Sequence, residues 1–163
     1  MKRTNLKKTV ISVFCCLLVG IFSGIIANNS FDNWFLTIKK PVFSPPFWLF
    51  GFIWLIIHVL IGYSFSILWS RKAQSRRSKS VLRIAMTLFG IQLGLNLIWA
   101  YIFFGLCNPF LALIEILLLW LLTFETIKSF KKIDHLASKL LLPYMIWISF
   151  TVILNGSIWF MNS

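Results

Sequence analysis

Five long apolar runs constrain the fold of this chain more than any other feature. Each holds 18 to 26 residues, and they cover residues 10–27, 46–69, 81–106, 109–127 and 140–161. At about 1.5 Å per residue, a helix of that length crosses roughly 30 Å of hydrocarbon. Only helices and closed barrels satisfy the backbone in lipid, and these runs are continuous rather than alternating. We therefore predict an all-α membrane protein, a single domain over residues 1–163 built as a bundle of five transmembrane helices.

The composition excludes the soluble and the disordered alternatives. Hydrophobic residues make up 59% of the chain and charged residues 12%, which is too few charges to cover a water-exposed surface. The same apolar content excludes disorder. The first run has a basic flank like a signal peptide, but its core is longer than usual and no small-residue cleavage site follows it, so it is interpreted as a helix. Cys15, Cys16 and Cys107 lie in apolar segments and are interpreted as small apolar side chains.

The basic residues predict an orientation. Five spans put the segment before the first run, the loop after the second and the loop after the fourth on one side, and these carry 4, 6 and 4 Lys and Arg. The opposite side has only Lys39 and Lys40. This asymmetry predicts that the basic side, with the N-terminus, is cytoplasmic. The basic run at 71–77 has no interleaved aromatics, so we interpret it as an anchor for anionic membrane lipids and predict no nucleic-acid partner.

The first loop, residues 28–45, is long and rich in proline and aromatic residues. It contains Trp34, Phe35 and Phe43. Long ordered loops of this kind are typical of functional lids rather than spacers. The adjacent Pro45 and Pro46 cannot lie inside a helix, so the second helix is predicted to begin there.

The chain has no motif for hydrolysis, phosphate binding or metal ligation, but it has 8 Trp, 17 Phe and 3 Tyr. Three runs each place aromatic and polar side chains on one face at helical spacing. These are Phe47, Phe50, Trp54, His58 and Ile61 in the second run, Gln92, Asn96, Trp99 and Phe103 in the third, and Trp147, Thr151 and Asn155 in the fifth. Such faces predict an apolar interior pocket with a few polar atoms, suited to a large flat ligand. The alternative is helix–helix packing through the amides and indoles.

Three blocks of sequence resemble the TspO/MBR family, which comprises the tryptophan-rich sensory proteins and the mitochondrial translocator protein. The first block runs from Trp34 through Lys39-Lys-Pro41, Phe43, Pro45-Pro46 and Trp48 to Trp54, Gly62-Tyr63 and Trp69. The second is Gln92-Leu-Gly-Leu-Asn96 with Trp99 and Phe103-Phe104-Gly105, and the third is Pro143-Tyr144 with Trp147, Phe150, Leu154-Asn155 and Trp159. The resemblance covers residues 10–162.

This resemblance implies a five-helix bundle, often dimeric, whose first loop caps a pocket for porphyrins, isoquinoline carboxamides and, in animals, cholesterol. It further implies that Trp54 and Trp147 match pocket tryptophans linked in bacterial members to light-dependent porphyrin breakdown. The other implied ligand-binding residues lie in the lid and on three helices: Phe35, Pro45, Pro46, His58, Asn96, Trp99, Phe103, Phe150 and Thr151. His58 stands where the family commonly has Tyr, and Thr151 where it favours Ala. The residues from 153 onward lack the Tyr and basic residue of the cholesterol-type motif, so sterol recognition through it is not expected.

Three functions follow from these observations. The first is a receptor or carrier in a bacterial cell membrane that binds tetrapyrroles, as a stress or light sensor. The second is an enzyme that degrades porphyrin through Trp54 and Trp147 as catalytic indoles. The third is a structural or regulatory partner whose pocket holds only lipid. No metal or cofactor is predicted for any of them, and the sequence does not separate the first two, because both need the same aromatic walls.

Further residues carry finer predictions. The Gly90 and Gly94 pair on the third run predicts a homodimer face, with Gly20 and Gly24 on the first run as the competing face. Lys39 and Lys40 at the pocket mouth suit the propionates of a porphyrin. Glu115 is predicted to be structural, and Glu125 is expected to reach Lys128 or Ser129. The indole N–H groups of Trp54 and Trp147 are expected to donate to the amides of Asn96 and Asn155.

Overall fold

The computed structural model describes residues 5–29, 34–72 and 75–163, and it confirms an all-helical architecture with five helical spans long enough to cross a membrane. Lys2, Arg3 and the lid residues 30–33 lie outside the described residues. The helices are α1 (Leu6–Asn29), α2 (Phe47–Trp69), α3 (Arg76–Ala100), α4 (Pro109–Lys131), α5 (His135–Leu140) and α6 (Leu142–Asn162). A π-helical turn, Tyr101–Gly105, extends α3.

Helix α3 begins five residues before the predicted start at residue 81. Ser75 and Ser78 form a capping box, in which the Ser78 N–H donates to Ser75 Oγ (3.1 Å) and the Ser75 N–H donates to Ser78 Oγ (3.0 Å). This pair satisfies two backbone donors that a helix start leaves free. The helix therefore starts within the basic segment before the apolar run, and hydrophobicity does not indicate a helix there.

The fifth helix was predicted to be continuous from residue 140, and this predicted start is wrong. Asp134 caps the short helix α5 by accepting from the N–H groups of Leu136 (2.9 Å) and Ala137 (3.0 Å). Helix α6 then starts at Leu142, with Pro143 in its first turn. Proline fits this position because the first turn does not use its missing N–H. Two separate start signals thus divide the segment into two helices.

The five long helices form a ring in the order α1, α2, α6, α4, α3, with α5 packed against α2 and α4. Helices α1 and α2 approach closely at Gly62, where an added Cβ would lie 2.7 Å from Val13 Cα. The Ser64 hydroxyl donates to the Ala137 carbonyl (2.7 Å), which fixes α5 to α2. Small side chains allow such close approach in lipid, where packing rather than water exclusion holds helices together.

The π-helical turn rotates the end of α3 inward. Its backbone bonds include Leu106 N–H donating to the Tyr101 carbonyl (2.9 Å). Because a π turn joins residues five apart, it brings Phe104 onto the same side as Trp99, while Phe103 follows Trp99 at ordinary α-helical spacing. All three rings are buried, with no more than 4% exposure. This turn was not predicted, and it places one more phenylalanine in the interior.

The basic end of the bundle is held by charged contacts. Lys8 Nζ donates to the Trp69 carbonyl (2.7 Å) and lies 5.3 Å above the Trp69 ring, and Arg71 forms an ion pair with Asp134. Burial alone raises the pKa of Asp134, but the Ala137 and Leu136 N–H groups and the Arg71 guanidinium outweigh it and leave that pKa below its ordinary value. Asp134 therefore remains ionised while it joins two loops at this end.

Candidate functional site

Phe50 is at the centre of an aromatic cluster in the opposite half of the bundle. Its ring centroid lies 5.1 Å from that of Trp147, 5.9 Å from Trp54 and 6.3 Å from Trp99. Trp54 and Trp99 are 5.8 Å apart. These separations are typical of attractive aromatic pairs. Rings from α2, α3 and α6 thus meet at one point, and Phe50 occupies the space between the two tryptophans predicted to contact a porphyrin.

Trp99 is held in place by a hydrogen-bonded chain. Its Nε1 donates to Asn155 Oδ1 (3.2 Å), and Asn155 Nδ2 donates to the Pro109 carbonyl (2.7 Å). The Trp99 ring also stacks on Phe103 at 5.3 Å. Because a buried indole loses free energy without an acceptor, this chain fixes the orientation of Trp99. Trp99 is therefore a rigid wall joining α3, α4 and α6.

The predicted partners of Trp54 and Trp147 are wrong. Asn155 accepts from Trp99 instead, and Asn96 Nδ2 donates to the Tyr144 hydroxyl (2.7 Å). The indole N–H of Trp147 is buried without a hydrogen-bond partner. Helical periodicity placed Asn96 and Asn155 on the correct helix faces. It did not determine which of the tryptophans lies within hydrogen-bond distance of each amide.

The described part of the lid between α1 and α2, residues 34–45, covers the cluster with apolar rings. Trp34 lies 5.5 Å from Phe103, and Phe35 lies 5.6 Å from Phe104. Phe43 reaches Phe150 of α6 at 6.3 Å.

Two hydrogen bonds attach the lid to the end of α6. Asn162 Oδ1 accepts from the Lys39 N–H and Asn162 Nδ2 donates to the Lys39 carbonyl, both at 2.9 Å. The Lys40 ammonium lies 4.6 Å above the Phe35 ring. The lid therefore contacts the end of α6 through Asn162 and the end of α3 through Phe103 and Phe104.

Two cavities flank the wall formed by Phe50, Trp99 and Phe104. One, of about 20 Å³, lies under the lid between α2, α3 and α6, and the other, of about 130 Å³, lies between α1, α2 and α3. Both are lined mostly by apolar side chains, with Ser44, Thr151 and Asn155 as the polar residues at the first and Ser23 and Asn28 at the second.

The structure brings only some of the predicted ligand-binding residues to these cavities. Phe35, Pro45, Trp99, Phe103 and Thr151 line the first, and Trp54 and Trp99 line the second. The others line neither cavity: Pro46, His58, Asn96, Trp147 and Phe150. Trp147 and Phe150 still join the cluster through Phe50 and through each other, at 5.4 Å.

His58 lies one turn below Trp54 and is fully buried. Its Nδ1 is 2.8 Å from the Trp54 carbonyl, and a Cβ added at Gly20 would lie 3.0 Å from its ring. Gly20 thus makes room for the imidazole within the bundle, which gives it a packing role between α1 and α2.

Phe47, Phe50 and Phe104 line both cavities, although none of them was among the predicted ligand-binding residues. Helical spacing had placed Phe47 and Phe50 on the predicted pocket face with Trp54. Phe104 carried no such signal, because its burial depends on the π-helical turn.

Within the described residues, no group of three His, Cys, Asp or Glu side chains is placed to hold a metal ion. The predicted Glu125–Lys128 contact is confirmed as an exposed ion pair of 2.7 Å near the basic end. The chemistry available to the aromatic cluster is therefore that of stacked rings and a few polar atoms.

Comparison with known proteins identifies the family. The sequence model of the TspO/MBR family matches residues 12–160. The chain is 36% identical over 159 residues to the tryptophan-rich protein TspO of Archaeoglobus fulgidus, covering 98% of this chain and 99% of the relative. It is 32% identical over 127 residues to the human translocator protein, covering 78% and 73% of the two chains. It is also 31% identical over 124 residues to the tryptophan-rich sensory protein of Cereibacter sphaeroides, covering 76% and 73%.

The family match at residues 12–160 includes part or all of each of the five helical spans, so the chain is a multi-pass integral membrane protein. Its bacterial relatives support a bacterial cell membrane as its location. The family predicted from the tryptophan and proline motifs is confirmed. The chain belongs to the TspO/MBR family.

Proposed function

We propose that the chain is a membrane receptor that binds tetrapyrroles in the aromatic interior beneath the lid. The observation that carries the proposal is the position of Phe50, whose ring packs against Trp54, Trp99 and Trp147 at 5.1–6.3 Å. Indole and phenyl walls around one flat ring make a site in which a flat ligand can take the place of that ring.

Binding of a porphyrin requires the interior to open. The cavity beneath the lid, about 20 Å³, has room for about one water molecule, whereas ligand pockets measure roughly 300–1,000 Å³. Displacement of the Phe50 side chain would join this cavity to the neighbouring one of about 130 Å³, because Phe50 lines both. Outward movement of the lid would supply the remaining volume. In this proposal, the Phe50 side chain must therefore move before a ligand can enter.

The charge distribution supports the same direction of entry. Lys39 and Lys40 lie on the lid, at the end opposite the Arg71–Asp134 pair. With the basic end in the cytoplasm, the lid faces outward. Porphyrin propionates would remain near the two ammonium groups while the macrocycle enters the bundle.

A titration with protoporphyrin IX tests the proposal. Purified protein in lipid nanodiscs should shift the porphyrin absorbance band and quench tryptophan fluorescence in a saturable way. Phe50→Ala should accelerate the association of protoporphyrin IX with the protein, because the side chain that must move is removed. Phe52→Ala is the matched control, since Phe52 is on the same helix but 58% exposed. Absence of saturable binding by the wild type would contradict the proposal and favour an interior that holds only lipid.

A second candidate function is light-dependent breakdown of the bound porphyrin. It is favoured by Trp54 and Trp147, which both contact Phe50 and would contact a ligand that replaced its ring. In this reaction the photoexcited porphyrin takes one electron from an indole, dioxygen adds to the reduced macrocycle, and the electron then returns to the indole, so that both oxygen atoms end in the porphyrin product. Mass spectrometry of protoporphyrin incubated with the protein in light and in darkness tests it. Unchanged porphyrin in both conditions would leave binding alone.

A further inference from the structure

A third cavity lies at the basic end of the bundle. It measures about 510 Å³, which is within the size range of ligand-binding pockets and larger than either cavity at the aromatic cluster. Its walls come from the segment between α2 and α3, from the first two turns of α3 and from the turn after α4. Three segments that are distant in sequence thus enclose one space outside the site described above.

The cavity has four cationic side chains: Arg71, Lys72, Arg77 and Lys132. Arg71 forms an ion pair with Asp134. The one other ion pair in the described part of the chain is that of Glu125 and Lys128 on α4. Lys72, Arg77 and Lys132 therefore line the same cavity without a carboxylate partner. Because like charges repel, bringing them together favours a bound anion.

Hydrogen bonds hold the walls of this cavity in place. Asp134, which pairs with Arg71, also caps α5. The N–H groups of Ile133 and Asp134 both donate to the Phe130 carbonyl, at 2.9 and 2.8 Å, and close the turn after α4. The capping box of Ser75 and Ser78 fixes the start of α3. The backbone that carries the cations is therefore ordered before any ligand arrives, which lowers the entropy cost of binding.

The cavity also has an apolar side, formed by Val81, Leu82 and Ile133. Val81 begins the third apolar run, so this side lies where the membrane-spanning part of α3 starts. Leu82 is shared with a neighbouring cavity of about 440 Å³. That cavity is lined by Lys79, Leu82, Arg83, Met86 and Thr87. Because Leu82 and Met86 are one turn apart on the same helix face, apolar surface continues from the cationic cavity along α3.

We propose that this cavity binds the phosphate group of one anionic phospholipid, with an acyl chain along α3 beside Leu82 and Met86. Arg77 and Lys132 would donate to the phosphate oxygens, and a guanidinium suits two of them at once. Basic pockets beside membrane-spanning helices bind anionic headgroups in this way. The site differs from a diffuse basic anchor because it assigns one lipid to particular cations. It does not depend on what the aromatic cluster binds.

Native mass spectrometry of the purified protein in a neutral detergent tests the site. The protein is titrated with dioleoyl phosphatidylglycerol or dioleoyl phosphatidylcholine, and glycerol 3-phosphate is added as a competitor. The wild type should bind one phosphatidylglycerol at about tenfold lower concentration than phosphatidylcholine, and glycerol 3-phosphate should not displace it at equal concentration. Equal binding of the two lipids would overturn the proposal. Displacement by glycerol 3-phosphate would indicate a site for a soluble phosphate and would overturn the assignment to a lipid.

Substitutions separate a defined site from general attraction to anionic lipid. Arg77→Gln/Lys132→Gln should raise the half-saturating phosphatidylglycerol concentration about tenfold, because both phosphate contacts are lost. Arg76→Gln/Lys131→Gln is the matched control, since these neighbours carry the same charge and are also exposed but line neither cavity. It should bind within about twofold of the wild type, through screened charge alone. Equal loss in both variants, or no loss in Arg77→Gln/Lys132→Gln, would refute the site.

Discussion

At the scale of single residues, Trp54 and Trp147 are the side chains best placed to distinguish binding from chemistry. Both contact Phe50, but Trp54 is 5% exposed and lines the cavity beside α1, whereas Trp147 is half-buried and its N–H has no partner. The two indoles therefore differ in surroundings while sharing one neighbouring ring. A ligand that displaced Phe50 would contact both.

The double substitution Trp54→Phe/Trp147→Phe should weaken porphyrin binding modestly and light-driven breakdown severely. Phenylalanine keeps an aromatic wall of smaller area, so binding should fall by about 1 kcal/mol. Phenylalanine is much harder to oxidise than tryptophan, so porphyrin loss in light should fall far more. Fluorescence titration measures the first effect and absorbance decay under illumination measures the second.

Trp48→Phe/Trp159→Phe is the control for this pair. These tryptophans lie near helix ends and are 70% and 37% exposed, as interfacial residues are. Their substitution should leave porphyrin binding and light-driven porphyrin breakdown unchanged. If the double variant at positions 54 and 147 behaved like the wild type, those residues would have no part in the site.

The lowered pKa of Asp134 leads to a prediction of how the stability of the protein depends on pH. The pKa of its carboxyl group is lower in the folded protein than in the unfolded chain, where it is about 3.9. The carboxylate therefore makes its full contribution to the free energy of unfolding above that pH, and this contribution is lost as the pH falls through the folded-state pKa. Asp134→Ala should lower the unfolding free energy by about 1 kcal/mol near neutral pH, through the lost helix cap. The difference should shrink at lower pH in equilibrium unfolding in mixed micelles.

Glu125→Ala provides the comparison for this prediction. Its ion pair with Lys128 is exposed, and such pairs contribute only a few tenths of a kcal/mol. A loss at Glu125 as large as that at Asp134 would show that surface charge, rather than the cap, controls the basic end.

At the scale of elements, α1 packs on α2 at glycines, and the closest contact at a glycine is the one at Gly62. A methyl group at Gly62 would lie 2.7 Å from Val13 Cα, and backbone cannot yield as a side chain does. Gly62→Ala should therefore lower the unfolding free energy by about 1–3 kcal/mol. Denaturation in mixed micelles, followed by circular dichroism, measures it.

Gly156→Ala on α6 is the matched control. The nearest atom to its added methyl group would be Leu113 Cδ1 at 3.8 Å, an ordinary contact. Alanine also favours the helix over glycine, so the variant should be as stable as the wild type or more stable. Equal destabilisation by both substitutions would contradict the close-packing argument.

The elements could be predicted from sequence where a single property determines them. Hydrophobic length alone located five spans, and the pair Pro45-Pro46 fixed the start of α2, which begins at Phe47. The start of α3 was missed because Ser75 and Ser78 act through hydrogen bonds within a basic segment. The separate helix α5 was missed for a similar reason, since Asp134 caps it locally.

The site was harder to predict, because it depends on distances between helices. Helical spacing placed Asn96, Trp99 and Asn155 on inward faces, and all three are buried. Spacing did not show that Asn155 would bond Trp99, or that Phe104 would turn inward through a π-helical turn. Such features depend on the rotation of one helix against another, and one-dimensional periodicity does not contain that rotation.

At the scale of the whole molecule, we propose that α3 forms the contact between two copies of the chain. Gly90 and Gly94 are exposed, and a Cβ added at either would meet no atom within 4 Å. Gly90→Leu should convert cross-linked dimer to monomer, because a large side chain separates the two helix backbones. Gly24→Leu on α1, an equally open position, should leave cross-linking unchanged. The reverse result would assign the contact to α1.

The charges of the lid predict ligand selectivity. Lys39→Gln/Lys40→Gln should weaken a dicarboxylate porphyrin by about 0.5–1 kcal/mol for each charge, less at high salt, while sparing a neutral ligand of the pocket. Titrations at two ionic strengths measure this. Lys131→Gln/Lys132→Gln at the basic end is the control. Equal loss for both ligands would indicate that the lid had lost its contact with Asn162.

The interior beneath the lid, with its cavity of about 20 Å³, also determines the kinetics of ligand capture. A chain that must first rearrange cannot bind at the rate of collision. The observed association rate should rise with porphyrin concentration and then reach a plateau equal to the opening rate, and that plateau should be the same for ligands of different affinity. Apparent affinity is then the intrinsic affinity multiplied by the fraction of open molecules. Membrane composition, by altering that fraction, would tune sensitivity without any change in the residues that touch the ligand.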